Sequence, residues 1–167
     1  MKWLLYLVIF LAPFTANAQK AQWPKDVYRI YQCERYLVQN IALKQNGLLD
    51  TFARQVLTPG IKTIYVAKTD YIQDMLDSVN GYKIKLVNVD SMAKTINKEV
   101  AAGTAILLYL TDGLNLYEQY SIWIMPMSLD KKGRKYLRKY ELTPSCKASF
   151  NFNTSSGLFT LTGVEYL

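Results

Sequence analysis

Hydrophobic positions along this chain change their spacing twice, and the changes divide it into three parts. After Pro24, Ile30, Cys33, Leu37 and Ile41 recur at helical intervals, which places them on one face of a helix. A second amphipathic stretch follows Gly47, with Leu48, Phe52 and Val56 on one stripe, and Pro59-Gly60 closes it. From Ile61 the pattern becomes strand-like. Ile61–Ala67 and Tyr82–Val89 are rich in Ile, Val, Tyr and Thr. Between them Ile72, Met75, Leu76 and Val79 predict a helix, with Asp70 and Gln73 spaced as a capping box and Gly81 as its stop. A second such unit puts Asp90-Ser91 at the cap of a helix carrying Met92, Ile96 and Val100. Gly103 ends that helix, and the apolar run Ala105–Leu110 suits a strand buried on both faces.

Beyond Leu110 helical spacing disappears and turn chemistry separates the segments, at Asp112-Gly113, Asp130–Gly133 and Thr154–Gly157. Leu116–Met127 is the longest strand expected, with Pro126 placing its far end at an edge or a bulge. Ala148, Phe150 and Phe152 alternate with Lys147, Ser149 and Asn151, as a strand with one buried face requires. The fold class expected is therefore α+β. A helical N-terminal third precedes β-α-β-α-β and C-terminal antiparallel strands, forming one mixed sheet with helices on one face.

The first eighteen residues carry a different signal. Met1-Lys2 is a positive start, Trp3–Phe14 is almost unbroken apolar, and Thr15-Ala16-Asn17-Ala18 ends in the small-x-small pattern that signal peptidase accepts. The expectation is a signal peptide over residues 1–18, cleaved before Gln19, and a single α+β domain over 19–167. The alternative, a membrane anchor, needs roughly 20 apolar residues, and this run is shorter. The mature chain is then expected to be exported, to the periplasm or the extracellular space, with no transmembrane segment. About 150 residues suffice to bury a core, and a composition half hydrophobic and one-fifth charged is that of a globular chain.

The chain contains no histidine. A Ser-His-Asp or Cys-His apparatus cannot be assembled from it, nor can the imidazole zinc sites, and two cysteines cannot supply the four thiolates of an all-cysteine zinc site. Phosphate-binding glycine loops and EF-hand spacing are also absent, and no cofactor is implied. Carboxylate chemistry survives, with Asp112 and Glu118 flanking an expected turn as the best acid–base pair. Asp before Gly is ordinary turn chemistry, however, and a strand Glu usually faces water.

Cys33 and Cys146 are expected to pair as a disulfide in an oxidising compartment, the alternative being two buried core thiols. Net charge sharpens the picture further. It is +7, and once Lys2 is set aside the remaining excess equals the six cations Lys131, Lys132, Arg134, Lys135, Arg138 and Lys139. Tyr136 and Tyr140 are interleaved with them. Such a hairpin either contacts an anionic macromolecule or protects a sheet edge from association. Tyr-rich faces with Trp23 and Trp123 could form a ligand platform, though such rings more often fill sheet faces. Asn153-Thr154-Ser155 matches an N-glycosylation acceptor. The function favoured by these residues is an exported, non-catalytic binding or interaction protein whose partner is an anionic macromolecule or another envelope protein. The alternatives are a carboxylate-dependent hydrolase and an accessory subunit that pairs through a sheet edge.

Overall fold

The computed structural model describes residues 23–44, 47–69, 75–112, 119–153, 155–156 and 158–167. The expected signal peptide and the Asp70–Gln73 capping box lie outside the described residues. Among those described, the chain forms three helices and one mixed sheet of eight strands, an α+β arrangement. In chain order the elements are α1 (Trp23–Leu43), α2 (Asp50–Val56), β1 (Thr63–Ala67), β2 (Ser78–Val79), β3 (Tyr82–Val87), α3 (Val89–Ala101), β4 (Ala105–Asp112), β5 (Gln119–Lys132), β6 (Lys135–Tyr140), β7 (Cys146–Asn153) and β8 (Leu158–Tyr166).

The sheet runs β2-β3-β1-β4-β5-β7-β8, with β6 paired to β5 outside that path. β1 is parallel to β3 and β4, and every other pairing is antiparallel. All five residues of β1 are buried, which requires cover on both faces of the sheet. Alternation along a strand explains how the cover is divided. Ile64 and Val66 enter the cluster that contains Leu37 and Ile41 of α1 and Phe52 of α2. Tyr65 and Ala67 point the other way, into a cluster with Val89, Ala93 and Ile96 of α3. Helices on one face only, as the sequence leads one to expect, is therefore corrected: α1 and α2 cover one face and α3 the other.

The segment read as a helix over Ile72–Val79 also differs where it is described. Ser78 and Val79 form β2, hydrogen-bonded to Tyr82 and Lys83, and Met75 to Asp77 is not helical. Asn80 and Gly81 have φ of 49° and 82°, the two positive values of a type I′ hairpin turn. Gly81 thus turns a hairpin rather than stopping a helix. The Asn80 side-chain Nδ2 donates to the Ala42 carbonyl at 3.2 Å, docking this turn on the end of α1.

The start of α3 is capped by Asn88, whose Oδ1 accepts from the Asp90 and Ser91 amides at 3.1 and 3.4 Å. Asp90, expected at the cap, lies instead in the first turn, where its amide donates to Asn88 and its carboxylate is available for another partner. In α2 the buried residues are Phe52, Ala53 and Val56, preceded by the buried Leu49, while Leu48 is exposed.

Burial on β7 follows the expected alternation, with Cys146, Ala148 and Phe150 inside. On β5 the pairing changes at Pro126. It is the last residue paired to β4, opposite Leu108, and from Met127 onward β5 pairs with β6. A proline has no amide hydrogen to continue a ladder, so it suits the point where a strand leaves its neighbour.

Candidate anion-binding hairpin

The far half of β5 and β6 form a hairpin closed by Gly133 and Arg134. Gly133 has φ 61° and Arg134 a negative φ, the signature of a type II′ turn, which matches the twist of the flanking strands. Directly opposed residues share a face of the ribbon. Met127, Leu129 and Lys131 oppose Tyr140, Arg138 and Tyr136 on one face; Ser128, Asp130 and Lys132 oppose Lys139, Leu137 and Lys135 on the other.

The first face is the anchored one. Met127 and Leu129 are buried and Tyr136 half-buried in the cluster built on α3. The Arg138 guanidinium donates from Nη2 to Oδ2 of Asp90 at 2.9 Å, which raises the arginine pKa further, burial opposing and Tyr140 assisting. Tyr140 lies against Tyr109, ring centres 5.0 Å apart. No helix among the described residues belongs to a cluster on the second face of the ribbon. Lys132, Lys135 and Lys139 are exposed there, and Leu137 is 44% exposed between them.

The six cations are thus not one uniform patch. Arg138 is held by Asp90, and Lys139 lies 3.4 Å from Glu141. Lys131, Lys132, Arg134 and Lys135 form no ion pair among the described residues, and all four are exposed. Lys132 and Lys135 are moreover directly opposed across the ribbon. Like charges in that position repel and destabilise the pairing. The hairpin therefore ends in a compact, uncompensated positive tip.

The other candidate chemistry does not assemble. The backbone of Asp112 pairs with Ile122 at the end of β4, while Glu118 lies outside the described residues. A cavity of about 430 Å³ lies beside β3, lined by Met75, Asp77, Ile84, Lys85, Leu86, Val87 and Met92. Asp77 is the one carboxylate among its lining residues, and glycoside-hydrolase-type chemistry needs two. No group of three Cys, Asp or Glu placed to hold a metal occurs among the described residues. No helix among them is long and apolar enough to cross a membrane.

Cys33 and Cys146 are not bonded to each other. The expected disulfide is corrected on this point. Both thiols are buried in the same cluster, 1% and 0% exposed, where they pack as small apolar groups between α1 and β7. Burial pushes the Cys146 thiol up to about 12, so it stays protonated and unreactive. Asn153 is exposed, and its Oδ1 accepts from the Ser155 and Ser156 amides at 2.9 and 3.0 Å. Thr154 of the glycosylation pattern lies outside the described residues.

Comparison with known proteins adds no relative: no family model, no curated protein and no solved structure matches the chain.

Proposed function

We propose that this is an exported, non-catalytic binding protein that contacts an anionic partner through the tip of the β5–β6 hairpin. The observation that carries this reading is the separation of the six cations into two that are ion-paired and four that are not. An anionic partner would relieve the Lys132–Lys135 repulsion, which the chain alone leaves standing. Export, to the periplasm or the extracellular space, rests on the apolar run and small-x-small pattern of residues 1–18.

Duplex DNA serves as a test polyanion, because its counterion release is calibrated. Each neutralised phosphate contributes about 0.9 to the slope of log affinity against log salt. Replacing Lys131, Lys132, Arg134 and Lys135 together with Gln is expected to lower that slope by roughly 3 to 4 while leaving the circular dichroism spectrum unchanged. The pair Arg138→Gln and Lys139→Gln should lower it less, since those charges are already matched by Asp90 and Glu141. An unchanged slope in the tip variant would sink the reading and leave the hairpin a protective edge.

A second reading, an accessory subunit that pairs through a sheet edge, is favoured by β8. Its nine residues close one end of the sheet order, pair among the described residues with β7 alone, and include no Lys, Arg or Pro to discourage a further strand. Leu158 is 64% exposed there. If the edge is used between copies, sedimentation equilibrium at micromolar concentration should show dimers that Thr160→Lys, placed mid-edge, converts to monomers. A monomer throughout removes self-association from consideration.

A further inference from the structure

We infer that the anionic partner of the hairpin is the surface of a lipid bilayer bearing acidic headgroups. This rests on the anion-binding proposal above and goes further by choosing among anions. The choice follows from which side chains accompany the charges. Leu137 lies on the uncovered face of the ribbon, two residues from Lys135 and two from Lys139, opposite Asp130 and diagonal to Lys132. At 44% exposure it offers an aliphatic group to whatever the lysines meet. A polyanion in water gains nothing from a leucine, whereas a bilayer interface accepts both parts, the ammonium groups at the phosphates and the aliphatic group below them.

The aromatic residues point the same way. Single-stranded nucleic acid is held by rings on which bases stack. In this hairpin Tyr136 is half-buried against the α3 cluster, and Tyr140 lies against Tyr109 at the end of β6 remote from the turn. The tip itself presents none. Three of its four cations are lysines, compact point charges without the planar fork by which arginine reads a shaped phosphate or a guanine edge. Diffuse charge with an aliphatic neighbour suits a fluid array of headgroups. Asp130 lies on the same face, directly opposite Leu137, and Glu141 is matched by Lys139, so the ribbon meets the surface with this face, on which Lys132 and Lys135 outnumber the Asp130 carboxylate.

The experiment is co-sedimentation of the full mature chain with two kinds of vesicle, pure phosphatidylcholine and phosphatidylcholine with about one-third phosphatidylglycerol, alongside the duplex DNA titration. Binding is expected to the acidic vesicles and not to the neutral ones. Each Lys→Gln change at the tip should weaken it roughly fivefold, the equivalent of about 1 kcal/mol per basic residue near an acidic surface. Leu137→Ala should weaken vesicle binding by a further factor of about five and leave DNA binding unchanged. Since Leu137 is exposed, this variant retains the fold, and an unchanged thermal midpoint verifies it. Binding to DNA without binding to acidic vesicles would overturn the lipid inference and leave the anion-binding proposal standing. Binding to neither would overturn both. Equal binding to neutral and acidic vesicles, or vesicle binding indifferent to Leu137→Ala, would likewise overturn the lipid inference.

Discussion

Between pH 9 and pH 12 the fold is expected to lose about 4 kcal/mol through Cys146 alone. The thiol is fully enclosed in β7, and burial lifts its pKa from the ordinary 9.0 to about 12. The native state therefore keeps the proton through a range in which the unfolded chain gives it up. A raised native pKa contributes stability that is complete below pH 9 and disappears as the pH approaches 12. Tyr65 adds to the effect from pH 10 upward. Its ring is buried under α3, and its hydroxyl donates to Oε2 of Glu99 at 2.8 Å. Burial first, and then the Glu99 carboxylate, raise its pKa to about 12. That hydrogen bond is only part-buried, where solvent screens it, so the loss there is smaller than at Cys146. The fold is therefore expected to weaken progressively as the pH rises above 9. Urea midpoints measured from pH 8 to pH 11 will decide it. Cys146→Ala should flatten the decline between pH 9 and pH 10, where the thiol is the dominant contributor. A midpoint independent of pH up to 11 would show that neither group is held as described.

The second large effect is expected at Phe150, whose replacement by Ala should cost about 3 to 5 kcal/mol. This ring is 2% exposed on β7 and meets the edge of Tyr36 on α1, centres 6.0 Å apart and planes at 82°. It thus connects the long helix to the antiparallel half of the sheet. Alanine would leave a cavity between two rigid elements, which cannot close without moving the helix. The denaturant midpoint should fall while its slope stays near the wild-type value, because the surface exposed on unfolding is almost unchanged. Leu158→Ala, at a 64% exposed position on the edge strand, provides the contrast: a change within about 0.5 kcal/mol is expected. A loss at Phe150 as small as that would mean the ring does not connect these elements.

Much of the strand pattern was legible from spacing and side-chain shape. Thr63–Ala67, Ala105–Asp112 and Cys146–Asn153 are β-branched, aromatic or alternating, and each forms where expected. The helix read over Ile72–Val79 shows how one signal can mask another. Met75, Leu76 and Val79 fit helical spacing, yet Asn80-Gly81 is the strongest short hairpin signal a sequence can carry, and it prevails at β2. At α3 the nearer Asp90 looked like the cap, but Asn88 has the extended backbone that aims its side chain at the first free amides.

The candidate site divides along the same line. That six cations cluster in a hairpin follows from composition and turn chemistry alone, since both are local. Which of them are neutralised does not, because the Asp90 carboxylate that holds Arg138 arrives from 48 residues away. Likewise two cysteines in a chain read as exported suggest a bond, and only the packing of α1 against β7 decides that both thiols fill the core. The side on which each helix lies is also a tertiary matter: the unbroken burial of β1 requires cover on both faces, and only the contacts between distant segments say by what. Local pattern determined the elements and the positive hairpin, because propensity, turns and charge act over a few residues. The division of the helices between two faces, the enclosed thiols and the unpaired tip depend on contacts between distant segments, and those are decided only when the chain packs.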